Sequence, residues 1–362
     1  MSTLPTHSTS RSRRLKFALA AVLLAIMGSA ATLLAVDVYL HRKYEKTAGF
    51  NVWGYRGPTK ERKRRDEYRV AVLGGSSAFG YGVDWNESFP ADLERRLAGR
   101  SSGPFQRFTV VNLGYNNEGA YSFRFTLEDY LSLNYDMACL YEGYNDMMAD
   151  PDHPNVAIFR HDSPVFRLTG YLPIFPIIFR EKAAALLYGN ASDLYRFGEK
   201  TVFHADIATR TAAESLEMAA NVSDSLSRQL DRATAEPPRR IADVASTGCK
   251  TPWQEYCRSV LAGVEFAVQH DKQVLVVAQP YELGTLGDRH REQQREVAAM
   301  IQRRFGGDRR VRYLNLGPTI DLADPALSFD HMHLTVAGNA RLADEFVQPV
   351  LEMAADRQLV RK

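Results

Sequence analysis

The sequence predicts an α/β protein in which a parallel β-sheet carries helices on both faces. Five short apolar runs alternate with longer stretches that repeat apolar residues at helical spacing. Runs that are apolar throughout, rather than at every second position, are typical of the doubly buried strands of parallel sheets. Polar blocks containing glycine follow the first three runs, at the edge where open α/β sheets bind ligands. The predicted strands cover residues 68–73, 108–113, 137–141, 273–278 and 311–316.

Ahead of these strands, the N-terminus has the composition of a membrane anchor. Residues 1–16 are basic and contain no acid, and Phe17–Val36 contains no charge. Twenty helical residues span about 30 Å, the thickness of a bilayer's hydrocarbon core, so we predict a transmembrane helix over residues 17–40. A cleaved signal peptide ending near Ala31 is the alternative. An acid-free basic head favours a periplasmic or extracellular C-terminal domain, although basic residues after the segment make the charge bias nearly even.

The boundaries of the elements follow from local signals. The first strand ends at Gly74 and Gly75, a pair typical of a tight turn. Pro90 suits the first turn of the helix that follows, and Thr335 is a natural N-cap for the last helix. The predicted helices cover residues 89–97, 122–133, 254–270, 292–305 and 335–355.

The alternation of strands and helices also defines the domain organisation. Residues 41–65 are polar and basic, which predicts a solvated linker to a domain over residues 66–356. Within that domain the alternation breaks at about 151–252, which we interpret as a mainly helical insertion. Its apolar, proline-punctuated segment 171–179 is interpreted as a cap on the core, with an acyl pocket or a membrane contact as alternatives. Helices are expected in the insertion near residues 182–187 and 212–233.

Composition excludes some classes of function. The 362 residues carry a net charge of +2, and we find no zinc-finger spacing or recognition-helix pattern, so nucleic acid is not an expected partner. Cys139 lies in an apolar run and is expected to be an inert core thiol. Cys249 and Cys257 form a disulfide in an oxidising compartment or remain two thiols, and the sequence leaves both possibilities open.

Four short polar blocks carry residues suited to ester chemistry at a serine. Ser76 follows the two glycines at the end of the first strand, and a serine hydroxyl needs a base and oxyanion donors to act as a nucleophile. His333 is the candidate base, and Asp330 lies three residues before it, at a spacing that lets a carboxylate orient the imidazole. The N–H of Ser76, the N–H of Gly114 and the side-chain amide of Asn145 are candidate oxyanion donors.

These residues resemble the SGNH, or GDSL-type, hydrolases, whose name comes from Ser, Gly, Asn and His in four blocks. The resemblance covers about 66–150 and 253–355 and leaves the insertion unexplained. It implies a three-layer α/β/α sandwich with a five-stranded parallel sheet, the flavodoxin-like SGNH hydrolase fold, and it implies no metal or organic cofactor. Many members have Asp before the serine and Leu after it, where this chain has Gly75 and Ser77, so Ser77 is the alternative nucleophile.

The resemblance and the anchor together predict a membrane-anchored serine acyl-ester hydrolase. Its expected substrate is an ester outside the cytoplasm, such as an O-acylated polysaccharide. The alternatives are an acyltransferase with the same Ser-His-Asp site and a non-enzymatic assembly or binding subunit on the same fold. A metal site at Asp330, His331 and His333 is a further alternative, which no additional Cys/His cluster supports. Glu142, next to the third block, is interpreted as an exposed acid at a strand end, with a substrate contact as the alternative.

Overall fold

A five-stranded parallel sheet forms the centre of the fold. The computed structural model describes residues 8–47, 49–147, 153–188, 206–234, 239–241 and 246–360. The strands are β1 Glu67–Leu73, β2 Arg107–Asn112, β3 Met137–Tyr141, β4 Gln273–Ala278 and β5 Val311–Asn315. Their order is β2-β1-β3-β4-β5, and each neighbouring pair is parallel. The five predicted strands are therefore confirmed, each within one residue of its expected bounds.

Helices connect these strands, as predicted. They are α1 Ser8–Lys43, α2 Ser76–Phe79, α3 Phe89–Leu97, α4 Ser122–Asp129, α5 Tyr144–Met147, α6 Pro164–Thr169, α7 Phe175–Tyr188, α8 Ile207–Thr234, α9 Gln254–Gln269, α10 Gly284–Phe305 and α11 Val336–Val360. Short 3-10 helices cover Trp85–Glu87, Leu131–Leu133 and Phe159–Asp162. Three predicted bounds were wrong: α4 ends at Asp129, α10 begins at Gly284 rather than Glu292, and α11 ends at Val360 rather than Ala355. Thr335 Oγ1 accepts the N–H of Gly338 at 3.2 Å, which confirms the N-cap of α11.

Side chains alternate between the two faces of the sheet and build two hydrophobic layers. Val70 and Val72 of β1 face a layer that contains α3 and α11, where Phe89 stacks on Phe346 with ring centroids 5.2 Å apart. Ala71 and Leu73 of the same strand face a layer that includes α4, α9 and α10. Helices on both faces confirm the three-layer α/β/α architecture.

The strand order places the reversal of the sheet's winding between β1 and β3. The chain passes from β1 to β2 on one side and then crosses to β3 on the other, so the connections after β1 and β3 run to opposite sides of the sheet, the point at which open α/β folds bind ligands. Gly74 lies at this point with φ +154°, and a side chain there would overlap the carbonyl oxygen of Tyr141 on β3. The glycine at the end of β1 is therefore required by the close approach of the two strands.

The described chain forms two compact units. One comprises residues 1–43 and 173–224, and the other comprises residues 44–172 and 225–362, including the sheet. The helices predicted near 182–187 and 212–233 lie within α7 and α8. The limits of the insertion at 151–252 and of the domain at 66–356 stay predictions.

In the first unit, α1 is the described helix long and apolar enough to cross a membrane. Its candidate span, Arg13–Lys43, has a mean hydropathy of 2.4 over its most apolar window, and none of that window is buried. Packing begins only beyond the charge-free run, where Asp37 is 2% exposed. Asp37 Oδ1 accepts the N–H groups of Ile174 at 2.8 Å and Phe175 at 2.7 Å, so this carboxylate caps the start of α7.

In the second unit, part of the predicted linker is not a solvated tether. Tyr55 and Arg56 are buried, and the N–H of Arg56 bonds to the carbonyl oxygen of Asn112 on β2 at 2.9 Å. The linker prediction is therefore wrong for this segment, because its polar groups find partners in the folded domain. The same unit contains a disulfide between Cys249 and Cys257. Cys139 is a buried free thiol whose pKa is raised by burial, as expected for an inert core cysteine.

Candidate active site

Three predicted site residues form one hydrogen-bonded chain. Ser76 is the first residue of α2, directly after the glycine turn that ends β1. Its Oγ lies 2.8 Å from Nε2 of His333. On the other side of the imidazole, His333 Nδ1 lies 2.6 Å from Oδ2 of Asp330. The structure thus brings together a hydroxyl, an imidazole and a carboxylate in the order that nucleophilic catalysis requires.

The turn that carries Asp330 fixes the orientation of the imidazole. Asp330 Oδ1 accepts the N–H groups of Met332 at 3.1 Å and His333 at 2.6 Å. Partial burial acts to raise the pKa of Asp330, but the hydrogen bonds from the side chain and backbone of His333 outweigh it and lower the pKa. An ionised Asp330 favours the tautomer with the proton on Nδ1, which leaves Nε2 free to accept the Ser76 proton.

The alternatives that the sequence left open have less support in this geometry. Ser76, not Ser77, is the serine bonded to the imidazole. His331 Nδ1 lies 3.2 Å from the carbonyl oxygen of Leu322, while both nitrogens of His333 are directed at Asp330 and Ser76. No three His, Cys, Asp or Glu side chains in the described part of the chain converge as a metal site would require.

Two aromatic side chains that the sequence analysis did not single out flank His333. Tyr81 and Phe329 have ring centroids 4.9 Å and 5.8 Å from the imidazole. They are 44% and 48% exposed, which is unusual for large apolar side chains beside a polar site. The Phe329 ring also lies against Gly82, where any side chain would displace it. Their positions next to the serine and Asp-x-x-His blocks were the signal that could have identified them.

Asn145, a candidate oxyanion donor, lies against the nucleophile turn. It is on α5, just past β3, and its amide nitrogen is so close to Gly75 that a methyl group there would overlap it. The amide donates to the carbonyl oxygen of Glu118 at 2.9 Å and lies 3.5 Å from a carboxylate oxygen of Glu142. The side chain therefore lies against Gly75, the residue before Ser76, with its N–H groups engaged by protein acceptors.

Gly114 departs from its predicted state. Its N–H, a candidate oxyanion donor, already donates to Oδ1 of Asn112 at 3.0 Å. The Asn112 side chain also donates to the carbonyl oxygen of Phe79 at 3.1 Å, a local side-chain turn that the sequence analysis overlooked. A side chain at Gly114 would meet the Phe79 backbone nitrogen. Gly114 thus permits close packing against α2, and its part in an oxyanion hole stays a prediction.

Glu142 is not the exposed acid that the sequence suggested. It is 2% exposed, because the turn after β3 folds its side chain back under the glycine turn. Its carboxylate accepts N–H groups from Gly75, Gly143 and Asn145. Burial raises the pKa of Glu142 to about 7, and these three hydrogen bonds act in the opposite direction.

Two buried arginines brace the loops around the site, and nothing in the sequence marked either one. Arg56 donates to the carbonyl oxygens of Gly80 at 2.7 Å and Val83 at 2.6 Å, directly after α2. Burial lowers the pKa of Arg56 to about 9. Arg160, which is 1% exposed, donates to the Leu113 carbonyl oxygen at 2.7 Å and lies 3.5 Å from the Glu118 carboxylate. Together they hold the loops that follow β1 and β2.

Comparison with known proteins gives fold-level likeness. No protein-family profile and no curated protein matches the sequence. Solved structures that are similar include a member of the lipolytic protein G-D-S-L family from Veillonella parvula (9% identity, 78% of this chain, 97% of that chain, TM-score 0.40). A catalytic mutant of an acetylxylan esterase from Geobacillus stearothermophilus matches with 13% identity, 78% of this chain, 94% of that chain and TM-score 0.39. An α/β hydrolase from the metagenome of Lake Arreo matches with 13% identity, 79% of this chain, 96% of that chain and TM-score 0.42. At these values an activity has to be inferred from the residues of the site.

Proposed function

We propose that this protein is a serine acyl-ester hydrolase of the SGNH type. The observation that supports it is the hydrogen-bonded chain from Ser76 through His333 to Asp330, with distances of 2.8 Å and 2.6 Å. A neutral imidazole so placed can remove the serine proton as the hydroxyl attacks a carbonyl carbon. An intact chain of this kind has no evident use in a purely structural or binding subunit.

The proposed reaction follows from the roles of these three groups. Ser76 Oγ attacks the ester carbonyl while His333 Nε2 takes its proton, and Asp330 stabilises the resulting imidazolium. The tetrahedral intermediate collapses as His333 returns the proton to the departing alcohol. The same two steps then follow with water as the nucleophile. His333 takes a proton from the water molecule that attacks the acyl-enzyme, and it returns the proton to Ser76 Oγ as the acid departs.

Stabilising the oxyanion requires donors that converge near Ser76. The proposed donors are the N–H of Ser76, the amide of Asn145 and the N–H of Gly114. In the structure the Asn145 amide donates to Glu118 and the Gly114 N–H donates to Asn112, so each must share or exchange its acceptor when substrate binds. Catalytic hydrogen bonds commonly form only in the substrate complex.

The aromatic pair beside His333 supports an O-acylated polysaccharide as substrate. Tyr81 and Phe329 present half-exposed rings at the site, and the C–H bonds on one face of a pyranose pack favourably on the negative face of an aromatic ring. We propose that these rings bind the sugar that carries the ester.

The proposed location is the outer face of a membrane, with α1 as an uncleaved anchor. Two observations support it: the apolar window of α1 has no covering side chains among the described residues, and Cys249 and Cys257 form a disulfide. Disulfides persist mainly in oxidising compartments outside the cytoplasm. A buried hydrophobic helix would have been covered by its own domain.

The nucleophile can be tested with a serine-directed fluorophosphonate on the full-length protein in detergent. Wild type and Ser77→Ala should both be labelled, and Ser76→Ala should not. Ser77 is the matched control because it is the adjacent serine on the same helix. Labelling that is lost only in Ser77→Ala would move the nucleophile by one residue, and no labelling of the wild type would favour a non-enzymatic subunit.

The substrate class can be tested with two esters that share an acetyl group. Phe329→Ala should raise KM for an O-acetylated oligosaccharide and leave KM for ethyl acetate nearly unchanged, because only the first ester carries a sugar. Equal effects on both esters would contradict the sugar role.

Analysis of products with an acceptor sugar present separates hydrolysis from acyl transfer, since a transferase would give the acylated acceptor in place of free acid.

A further inference from the structure

The carboxylate of Glu142 joins two turns that carry different parts of the proposed active site. Its Oε2 accepts the N–H of Gly75, which precedes Ser76, at 2.5 Å. Its Oε1 accepts the N–H of Gly143 at 2.9 Å and the N–H of Asn145 at 3.0 Å. One oxygen therefore holds the turn after β1, and the other holds the turn after β3.

This arrangement is rigid for steric as well as electrostatic reasons. At position 75 only glycine leaves room for the Glu142 carboxylate and the Asn145 amide. Tyr256 Oη donates to the Glu142 carbonyl oxygen at 2.6 Å, so the backbone of the residue is held too. Burying an ionised carboxylate is unfavourable unless it is well hydrogen-bonded, and three backbone donors meet that requirement.

Asn145 is attached to the same carboxylate through its backbone, and its side chain lies beside it. The amide nitrogen is 3.5 Å from Glu142 Oε2 and 2.9 Å from the carbonyl oxygen of Glu118. The neighbouring Asp146 carboxylate accepts the N–H of Ala120 at 2.9 Å, which ties the loop after β2 to the same turn. The contacts of the turn after β3 thus fix the positions of the turn after β1 and of the loop after β2.

We propose that Glu142 is a positioning residue for the proposed ester hydrolysis: its carboxylate holds Asn145 at a fixed distance from Ser76, so that nucleophile and oxyanion donor meet the same carbonyl group. This proposal rests on the proposed function. Glu142 does not touch the substrate in this scheme, and it acts through Asn145.

The test compares kcat and KM of full-length variants in detergent on an ester that the wild type cleaves. Glu142→Gln keeps the shape but replaces one acceptor oxygen with a donor, so one of the two turns loses its partner. A misplacement of this kind is expected to lower kcat about 10- to 100-fold, with KM changing less than about threefold. Fluorophosphonate titration counts the folded active sites and corrects for any loss of stability.

Asp136→Asn is the matched control. Asp136 is also a buried carboxylate, and it accepts the backbone N–H of Arg69 at 2.8 Å. It precedes β3, however, and so lies at the amino ends of the strands, away from the site. It should lose stability and keep kcat per folded site. Glu142→Asp, which retains the charge on a shorter side chain, gives the same comparison if Glu142→Gln does not fold.

A double variant separates positioning from a general structural effect. If Glu142 acts through Asn145, adding Glu142→Gln to Asn145→Ala should reduce kcat by less than about threefold beyond Asn145→Ala alone. Losses that multiply, or an unchanged kcat in folded Glu142→Gln, would overturn the proposal while leaving the hydrolase intact. If the wild type cleaves no ester, the proposed function fails first and this proposal fails with it.

Discussion

At the scale of single residues, the site depends on a contact between chain segments that are far apart. Ser76 and His333 are separated by 257 positions, yet their side chains lie 2.8 Å apart. Asp330 adds a local contact that orients the imidazole. The long-range bond requires the whole fold, whereas the local one requires only a turn, so the two are expected to fail in different ways when mutated.

Asn145→Ala tests the proposed oxyanion donor. If the amide bonds more strongly to the transition state than to the bound ester, its loss should lower kcat about 10²- to 10³-fold with little change in KM. Steady-state kinetics on a cleaved ester checks this. Asp330→Asn should also act mainly on kcat, because it disturbs His333 rather than substrate binding. An unchanged turnover in Asn145→Ala would remove that residue from the mechanism.

Gly75→Ala tests the steric requirement at the nucleophile turn. The added methyl group would overlap the Asn145 amide nitrogen and crowd the Glu142 carboxylate, so activity per folded protein should fall by at least about tenfold. Gly307→Ala is the control, since a side chain at Gly307 meets nothing within 4 Å, and surface changes of this kind usually alter stability by less than about 0.5 kcal/mol. Equal activity in both variants would show that the turn tolerates a side chain at position 75 without displacing the catalytic groups.

At the scale of elements, the turn after β3 is held by α10 as well as by its neighbouring loops. His290 of α10 is fully buried and packs at a tilted angle against Tyr144 of α5, with ring centroids 4.4 Å apart, and edge-on against Tyr281 at 5.1 Å. Neither ring nitrogen has a hydrogen-bond partner among the described residues. Burial, with a smaller contribution from Arg291, lowers the pKa of His290 to about 3.

This buried imidazole predicts a pH dependence of stability. Between about pH 6.5 and about pH 3 the unfolded chain binds a proton on His290 that the folded protein excludes. The contribution is therefore fully present above pH 6.5 and is lost as the pH falls, with a slope of up to about 1.4 kcal/mol per pH unit. His290→Phe should flatten this part of the dependence in denaturant unfolding at pH 7, 5.5 and 4.

The difference between wild type and His290→Phe is the informative quantity in that experiment. Buried acids near the site, Glu118, Glu142 and Asp146, have pKa values raised chiefly by burial and therefore titrate with the opposite sign. Their contributions are common to both proteins and cancel in the difference. A difference that stays constant across the three pH values would contradict the assignment to His290.

At the scale of the whole molecule, the anchor and the disulfide support the same proposed topology, in which the catalytic domain lies outside the cytoplasm. A C-terminal alkaline phosphatase fusion should be active, because that enzyme folds only outside the cytoplasm, and the protein should remain in membranes after a carbonate wash. Cys249 and Cys257 should react with a maleimide only after reduction and denaturation. An inactive fusion would reverse the orientation, and a mature protein beginning near Ala31 would replace the anchor with a cleaved signal peptide.

Much of the architecture could be predicted from the sequence because its signals are local. The strands from β1 to β5 appear as continuous apolar runs, and glycine, proline and N-cap residues mark their connections. The Asp330 and His333 pair was recognisable for the same reason, since three residues on one turn span the distance between a carboxylate and an imidazole. The end of α4 and the start of α10 could not be predicted exactly, because tertiary packing decides where a helix begins and stops.

What the sequence by itself determined is the list of reactive groups and the sheet that could bring them together. Only the tertiary structure decided which donors are engaged: Gly114 N–H by Asn112 and the Asn145 amide by Glu118. It also decided that Glu142 is buried under the nucleophile turn and that Tyr81 and Phe329 flank His333. The physical reason is that hydrogen bonding and desolvation depend on neighbours from distant parts of the chain, which residue order does not specify until the chain has packed.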